Sequence, residues 1–191
     1  MKPTSLVLLV PLALASLGFS AMAPQQPPVW RQSQKSDAGR GITFTRFTLA
    51  GRFLKSPPDI DSANRPAIVL DCVPGKGSHP HKGRFLAGNF LVGTGLKIDY
   101  VEPEEIHGTS YFPMVSVQYR LDDAKEEGEK WSAGTDKTSA SIPAGWLKKM
   151  LRAHSVELTA ADDHGSPLVM QFDIPDPTPV EQGCGLDERK K

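Results

Sequence analysis

Two histidines, His79 and His81, flank Pro80 in the turn-rich stretch PGKGSHPHKG. Proline favours an extended local backbone, and residues i and i+2 of an extended chain project to one side, so both imidazoles could meet a single Zn²⁺ or Cu²⁺ ion. A complete site needs further ligands, and His107, His164 or a carboxylate are the remaining donors, none of them at metal-site spacing. Solvated loop histidines are the plainer reading, and no metal or other cofactor is expected. Glu102, Glu104 and Glu105 lie close to Asp99 in an acidic group. Two carboxylates held about 5–10 Å apart in a cleft could cleave a glycosidic bond, but this spacing singles out no pair. The segment DIDSAN (59–64) begins like a calcium loop, yet Asn64 stands where glycine is needed and Leu70 where glutamate is needed. Ser166 follows His164 and Gly165 in a turn, which does not align a hydroxyl with an imidazole. There is no G-x-S-x-G, H-E-x-x-H or phosphate-loop motif, and Gly75, Gly77 and Gly83 read as turn formers.

The two cysteines, Cys72 and Cys184, carry more information once the compartment is considered. Lys2, the apolar run SLVLLVPLALASLGF and the small-x-small tripeptide Ala21-Met22-Ala23 read as a signal peptide over residues 1–23. The run is too short for a membrane span, which needs about 20 apolar residues, and no span is expected after its removal. A periplasmic or secreted protein is therefore expected, where thiols oxidise. A Cys72–Cys184 disulfide would close a loop covering most of the chain, a tie worth about 4–5 kcal/mol in the chain-entropy account. Two free thiols doing redox or metal chemistry is the competing reading, and it lacks C-x-x-C spacing. With 22 basic and 22 acidic residues, nothing electrostatic points to nucleic acid or an anionic membrane.

The elements that must position these groups are mostly strands. Residues 24–40, rich in Pro, Gln and Ser, predict a flexible N-terminal arm with Trp30 as its one large apolar group. A single β-rich domain is expected over 41–186, with a charged tail at 187–191. Ile42 and Phe44 share one face and Phe47 and Leu49 the other, which predicts a bulge or a strand covered on both faces. Ile68, Leu70 and Cys72 alternate at period two, as do Val115, Val117, Tyr119 and Leu121. RFLAGNFLVG and LKIDYV predict two strands joined by a tight hairpin at Gly93–Gly95. SVELTA and PLVMQFDI predict another hairpin across ADDHGSP. After Pro143, the stripe Trp146, Leu147, Met150 and Leu151 predicts one helix over about 143–154. The fold class is mainly β: an antiparallel sandwich or curled sheet of about seven to eight strands with that helix packed on it.

Taken together, RPAIVLDC (65–72), YRLDD (119–123), EKWSAGTDKTSASIP, the helix WLKKMLRAH, the strands SVELTA and PLVMQFDI, and the terminal GCG (183–185) follow one order. That order resembles small exported bacterial proteins of the VasI type, associated with type VI secretion clusters, and the related invasion-associated locus B group. The resemblance spans roughly residues 65–186. It implies a periplasmic β-sandwich with a strand-to-C-terminus disulfide at Cys72 and Cys184, and no catalytic residues. The expected function is a non-catalytic envelope protein acting as an accessory or binding module for an envelope protein partner. The expected contact surfaces are the loops 74–83, with His79 and His81, and 102–113, with Tyr111 and Phe112. A secreted hydrolase using carboxylates near 102–105 and a metal-binding periplasmic protein are the alternatives.

Overall fold

A computed structural model of the chain describes residues 27–39, 41–56, 60, 65–74, 84–101 and 112–186. Within them the chain forms two antiparallel sheets and two short helices. The first sheet has the order β1 (Arg31–Asp37), β2 (Ile42–Ala50), β4 (Ala67–Pro74), β5 (Arg84–Leu91) and β9 (Ser139–Ile142). The second runs β3 (Arg52–Lys55), β11 (Pro167–Asp173), β10 (Ser155–Ala161), β7 (Phe112–Leu121) and β6 (Asp99–Val101), with β8 (Glu127–Ser132) also paired to β7. Because β8 and β6 both engage Met114, they lie on opposite flanks of β7, and β6 continues the line of β10.

The facing surfaces of the sheets make the core. Phe47, Leu49, Ile68, Leu70 and Phe90 from the first meet Val115, Val117, Leu158, Met170 and Phe172 from the second, all at or below 1 % exposure. Those positions follow the period-two alternation in the sequence, which one-sided burial requires. Strand β2 resolves its ambiguous pattern without a bulge: its register to β1 and β4 is continuous, with Thr45, Phe47 and Leu49 inward. Phe44 lies on the outer face, half-buried, where the Arg46 guanidinium sits 5.7 Å from its ring centre.

Two tight corners are among the places where the chain changes layer. Gly51 turns β2 into β3, and its backbone passes so close to β11 that a Cβ there would sit 2.5 Å from the Phe172 ring and 2.8 Å from the Gln171 carbonyl oxygen. At the opposite edge β8 leads into β9 through a turn closed by Gly134 N–H donating to the Ser139 carbonyl (2.8 Å). Helix α1 (Ala144–Met150) then lays Trp146, Leu147 and Met150 inward. Its approach needs a bare backbone below it, because a Cβ on Gly88 of β5 would lie 2.6 Å from a Leu147 methyl carbon.

Four expectations require correction. Residues 31–37 of the supposed flexible arm form β1, paired along its whole length with β2; the hydrogen bonds of a neighbouring strand order a segment that buries little of its own surface. The strands flanking Gly93–Gly95 form no hairpin. β5 belongs to the first sheet and β6 to the second, while Val92 and Leu96 N–H donate to Thr138 and Lys137 and tie the crossing to the β8–β9 turn. The helix expected over 143–154 ends at Met150, with residues 151 and 152 in a turn. A second helix, α2 (Thr178–Cys184), stands beside the single one expected, burying Val180 and Cys184. The described residues carry eleven strands: the polar β1, the short β3 beyond the Gly51 corner, and the short β8 and β9 add to the apolar strands legible in the sequence.

Candidate interaction surface

Cys72, inward on β4, and Cys184, at the end of α2, are joined in a disulfide with their Cα atoms 5.1 Å apart. The bond holds α2 against the first sheet, where it touches β2, β4 and β5. The free-thiol reading therefore falls. Of the other proposed site residues, His79, His81 and Tyr111 lie outside the described residues, as do Glu102, Glu104 and Glu105 and the segment read as a signal peptide. Phe112 is described. It opens β7 and is half exposed, at 51 %.

Three ladder pairs place what surrounds Phe112. Val101 stands opposite Phe112, Tyr100 opposite Pro113, and Asp99 opposite Met114. Alternation along β7 sends Val115 and Val117 into the core, so Phe112, Met114 and Ser116 share the outer face. There the Ser116 hydroxyl donates to Asp99 Oδ2 at 2.7 Å, pinning the β6–β7 ribbon. Lys130 of β8 stands opposite Ser116 and adds a cation to the same row. Tyr100 projects from the other side of the ribbon and is 61 % exposed. Two of the four large apolar side chains most exposed among the described residues thus sit on one short ribbon, the stem of segment 102–111. The two rings flank the ribbon from opposite sides, and exposed aromatic side chains are what protein contacts use.

At the far end of β7 lies a second cluster. The buried Tyr119 hydroxyl donates to Glu127 Oε2 (2.8 Å) and Glu129 Oε1 (3.0 Å), and Trp131 Nε1 donates to Glu129 Oε2 (3.2 Å). Burial first, and then the two carboxylates, raise the Tyr119 pKa well above the ordinary phenol value, so the ring stays neutral. Beneath it, Trp131 and Trp146 meet edge to face with ring centres 5.1 Å apart, and Phe90 meets Trp131 edge-on from the first sheet. In the charged run DAKEEGEK the i, i+2 spacing of Glu127 and Glu129 sends both one way along a strand. Their shared phenol could not be foreseen, because it belongs to a strand eight to ten positions earlier.

On the outer face of the first sheet, Arg46 grips Asp71 with two parallel bonds, Nε to Oδ1 and an NH2 nitrogen to Oδ2, both 2.7 Å. This hydrogen bonding raises the Arg46 pKa further. An open pocket of about 250 Å³ lies near β1, β2 and the end of β4, lined by Gln34, Thr43, Phe44, Thr45, Cys72 and Pro74.

Two further aspartates organise the backbone around them. Asp122 Oδ1 accepts from His154 and Ser155 N–H (2.8 Å each), and Asp162 Oδ1 accepts from His164 (3.0 Å) and Ser166 (2.6 Å) N–H. The His164–Ser166 segment is accordingly a turn organised by Asp162. Among the described residues no group of three or more His, Cys, Asp or Glu is placed to hold a metal ion. No described helix is long and apolar enough to cross a membrane. No protein-family model, curated protein or solved structure matches the chain.

Proposed function

We infer that this protein is exported to the bacterial envelope and acts there through its surface, as an accessory or binding module for another envelope protein. The setting implied by its resemblance to VasI-type proteins is a type VI secretion assembly. What carries the reading is the β6–β7 ribbon, where Tyr100 and Phe112 stand exposed on a stem held by paired strands and the Asp99–Ser116 bond. Their backbone is already ordered by strand pairing, so contact fixes only the two torsions of each ring, which suits them as anchors. The disulfide supports the compartment, because oxidised cysteines persist outside the reducing cytoplasm.

The test is a photo-crosslinking phenylalanine analogue placed at position 112 and, separately, at 100 in cells expressing the full chain. A discrete adduct with one envelope protein is expected from both positions, and none from Lys148, an exposed residue on α1. Purified Tyr100→Ala/Phe112→Ala protein should keep its stability within about 0.5 kcal/mol, since exposed substitutions rarely cost more, yet lose capture of that partner. Adducts absent from 100 and 112, or equally strong at 148, would refute the reading.

A further inference from the structure

The outermost strand of the first sheet has an unusual charge order. β1 reads Arg31-Gln32-Ser33-Gln34-Lys35-Ser36-Asp37, and six of its seven residues are exposed. It pairs with β2 without a register shift and contains no proline. Its inner row is fixed to β2, with Gln34 Nε2 donating to Thr45 Oγ1 (3.2 Å) and the Ser36 and Thr43 hydroxyls 3.3 Å apart. No other described strand pairs with it. An unbroken, seven-residue edge of this kind is a template for another strand.

The charges say which strand. Arg31, Ser33, Lys35 and Asp37 occupy the outer row, because Gln32 stands opposite the inward Phe47. If a second copy adds its own β1 antiparallel about a two-fold axis normal to the sheet, each residue keeps its face and only even register steps are allowed. With the axis at Gln34 all seven residues pair, Arg31 of each copy faces Asp37 of the other, and Lys35 faces Ser33. With the axis at Ser33, Arg31 faces Lys35 twice. With the axis at Lys35, the two lysines face each other. Opposite charges directly across a ladder stabilise it and like charges oppose it, so the neighbouring registers are repelled and one is selected. Val29, just before β1, and Leu54 of β3 are 56 % and 52 % exposed. The topology puts β1 and β3 at the same flank of the sandwich, so both add apolar surface along that edge.

We propose that the protein self-associates through β1 as a two-fold dimer centred on Gln34, joining two five-stranded sheets into one of ten. The surface is distinct from the Tyr100–Phe112 ribbon, on the far flank of the other sheet, and leaves it open to a different protein.

Sedimentation velocity of the mature oxidised chain over a concentration series reads this directly. The wild type should pass from monomer to dimer, with weaker association at high salt as exposed ion pairs are screened. Arg31→Asp and Asp37→Arg should each weaken association about tenfold or more, because two attractive pairs become repulsive. Mixed together, the two variants should form a heterodimer in which every charge pair is opposite, and the double variant should recover association alone. That rescue separates pairing from a folding defect. The proposal is overturned by a wild type monomeric at the highest concentration reached, as it would be if a segment of its own chain covered β1. Dimers indifferent to both reversals, or variants that fail to rescue each other, overturn it equally.

Discussion

Tyr119 shows how a single hydroxyl can connect surface charge to the core. Its ring is buried against Trp131 and Trp146, while its oxygen reaches two exposed carboxylates. Burial and those acceptors raise its folded pKa, so the folded protein holds a proton that the unfolded chain releases near pH 10. The sign follows: Tyr119 contributes its full stabilisation below about pH 10, and the contribution is lost as pH rises beyond that value. Tyr119→Phe should cost about 1 kcal/mol at neutral pH, the net worth of an ordinary hydrogen bond. It should also make the alkaline fall in stability shallower. Urea midpoints from neutral pH to pH 11 check this, and parallel alkaline limbs would contradict the assignment. Asp122 acts in the opposite sense at the acid end. The Ser155 backbone N–H above all lowers its pKa, so its stabilisation is present above the ordinary carboxylate range and disappears as pH falls below it.

Between residues and the whole molecule, the corners matter most. A sandwich of two sheets needs places where the chain leaves one layer for the other, and these coincide with tight backbone contacts. At Gly51 the strand crosses directly over Phe172 and Gln171. Gly51→Ala should therefore destabilise the protein by about 1–3 kcal/mol, as overpacking in a tight site does, and lower the melting temperature without changing the far-ultraviolet circular dichroism of the folded state. An unchanged melting temperature would mean that β3 can move away from β11 at little cost. The edge strand β1 makes the complementary point about elements: exposed on nearly every residue, it is a strand by virtue of its neighbour.

Across the whole molecule, the Cys72–Cys184 bond joins positions 112 residues apart, from the centre of the first sheet to the last helix. Such a tie restricts the unfolded chain over most of its length. Reduction should lower the unfolding free energy by about 2–5 kcal/mol, seen as a lower guanidinium midpoint with dithiothreitol, and α2 should be the first element to lose amide protection. A midpoint insensitive to reductant would show that burial of Val180 and the neighbouring contacts alone secure the helix.

Much of this architecture is legible in the sequence alone. Period-two alternation in β4, β7, β10 and β11 marked which residues face inward, the Trp146–Met150 stripe marked α1, and two cysteines in a chain with an export-like start suggested their bond. Those patterns are local, because one-sided burial imposes its period on neighbouring residues directly. What only the tertiary structure decided was long-range: that β5 and β6 part company into different sheets, that a wholly polar segment becomes an edge strand, that α2 docks beside Phe47, and that Glu127 and Glu129 share a buried phenol. Each depends on partners brought together by folding rather than on the character of the segment itself, and a strand exposed on both faces leaves no periodic trace of burial to read.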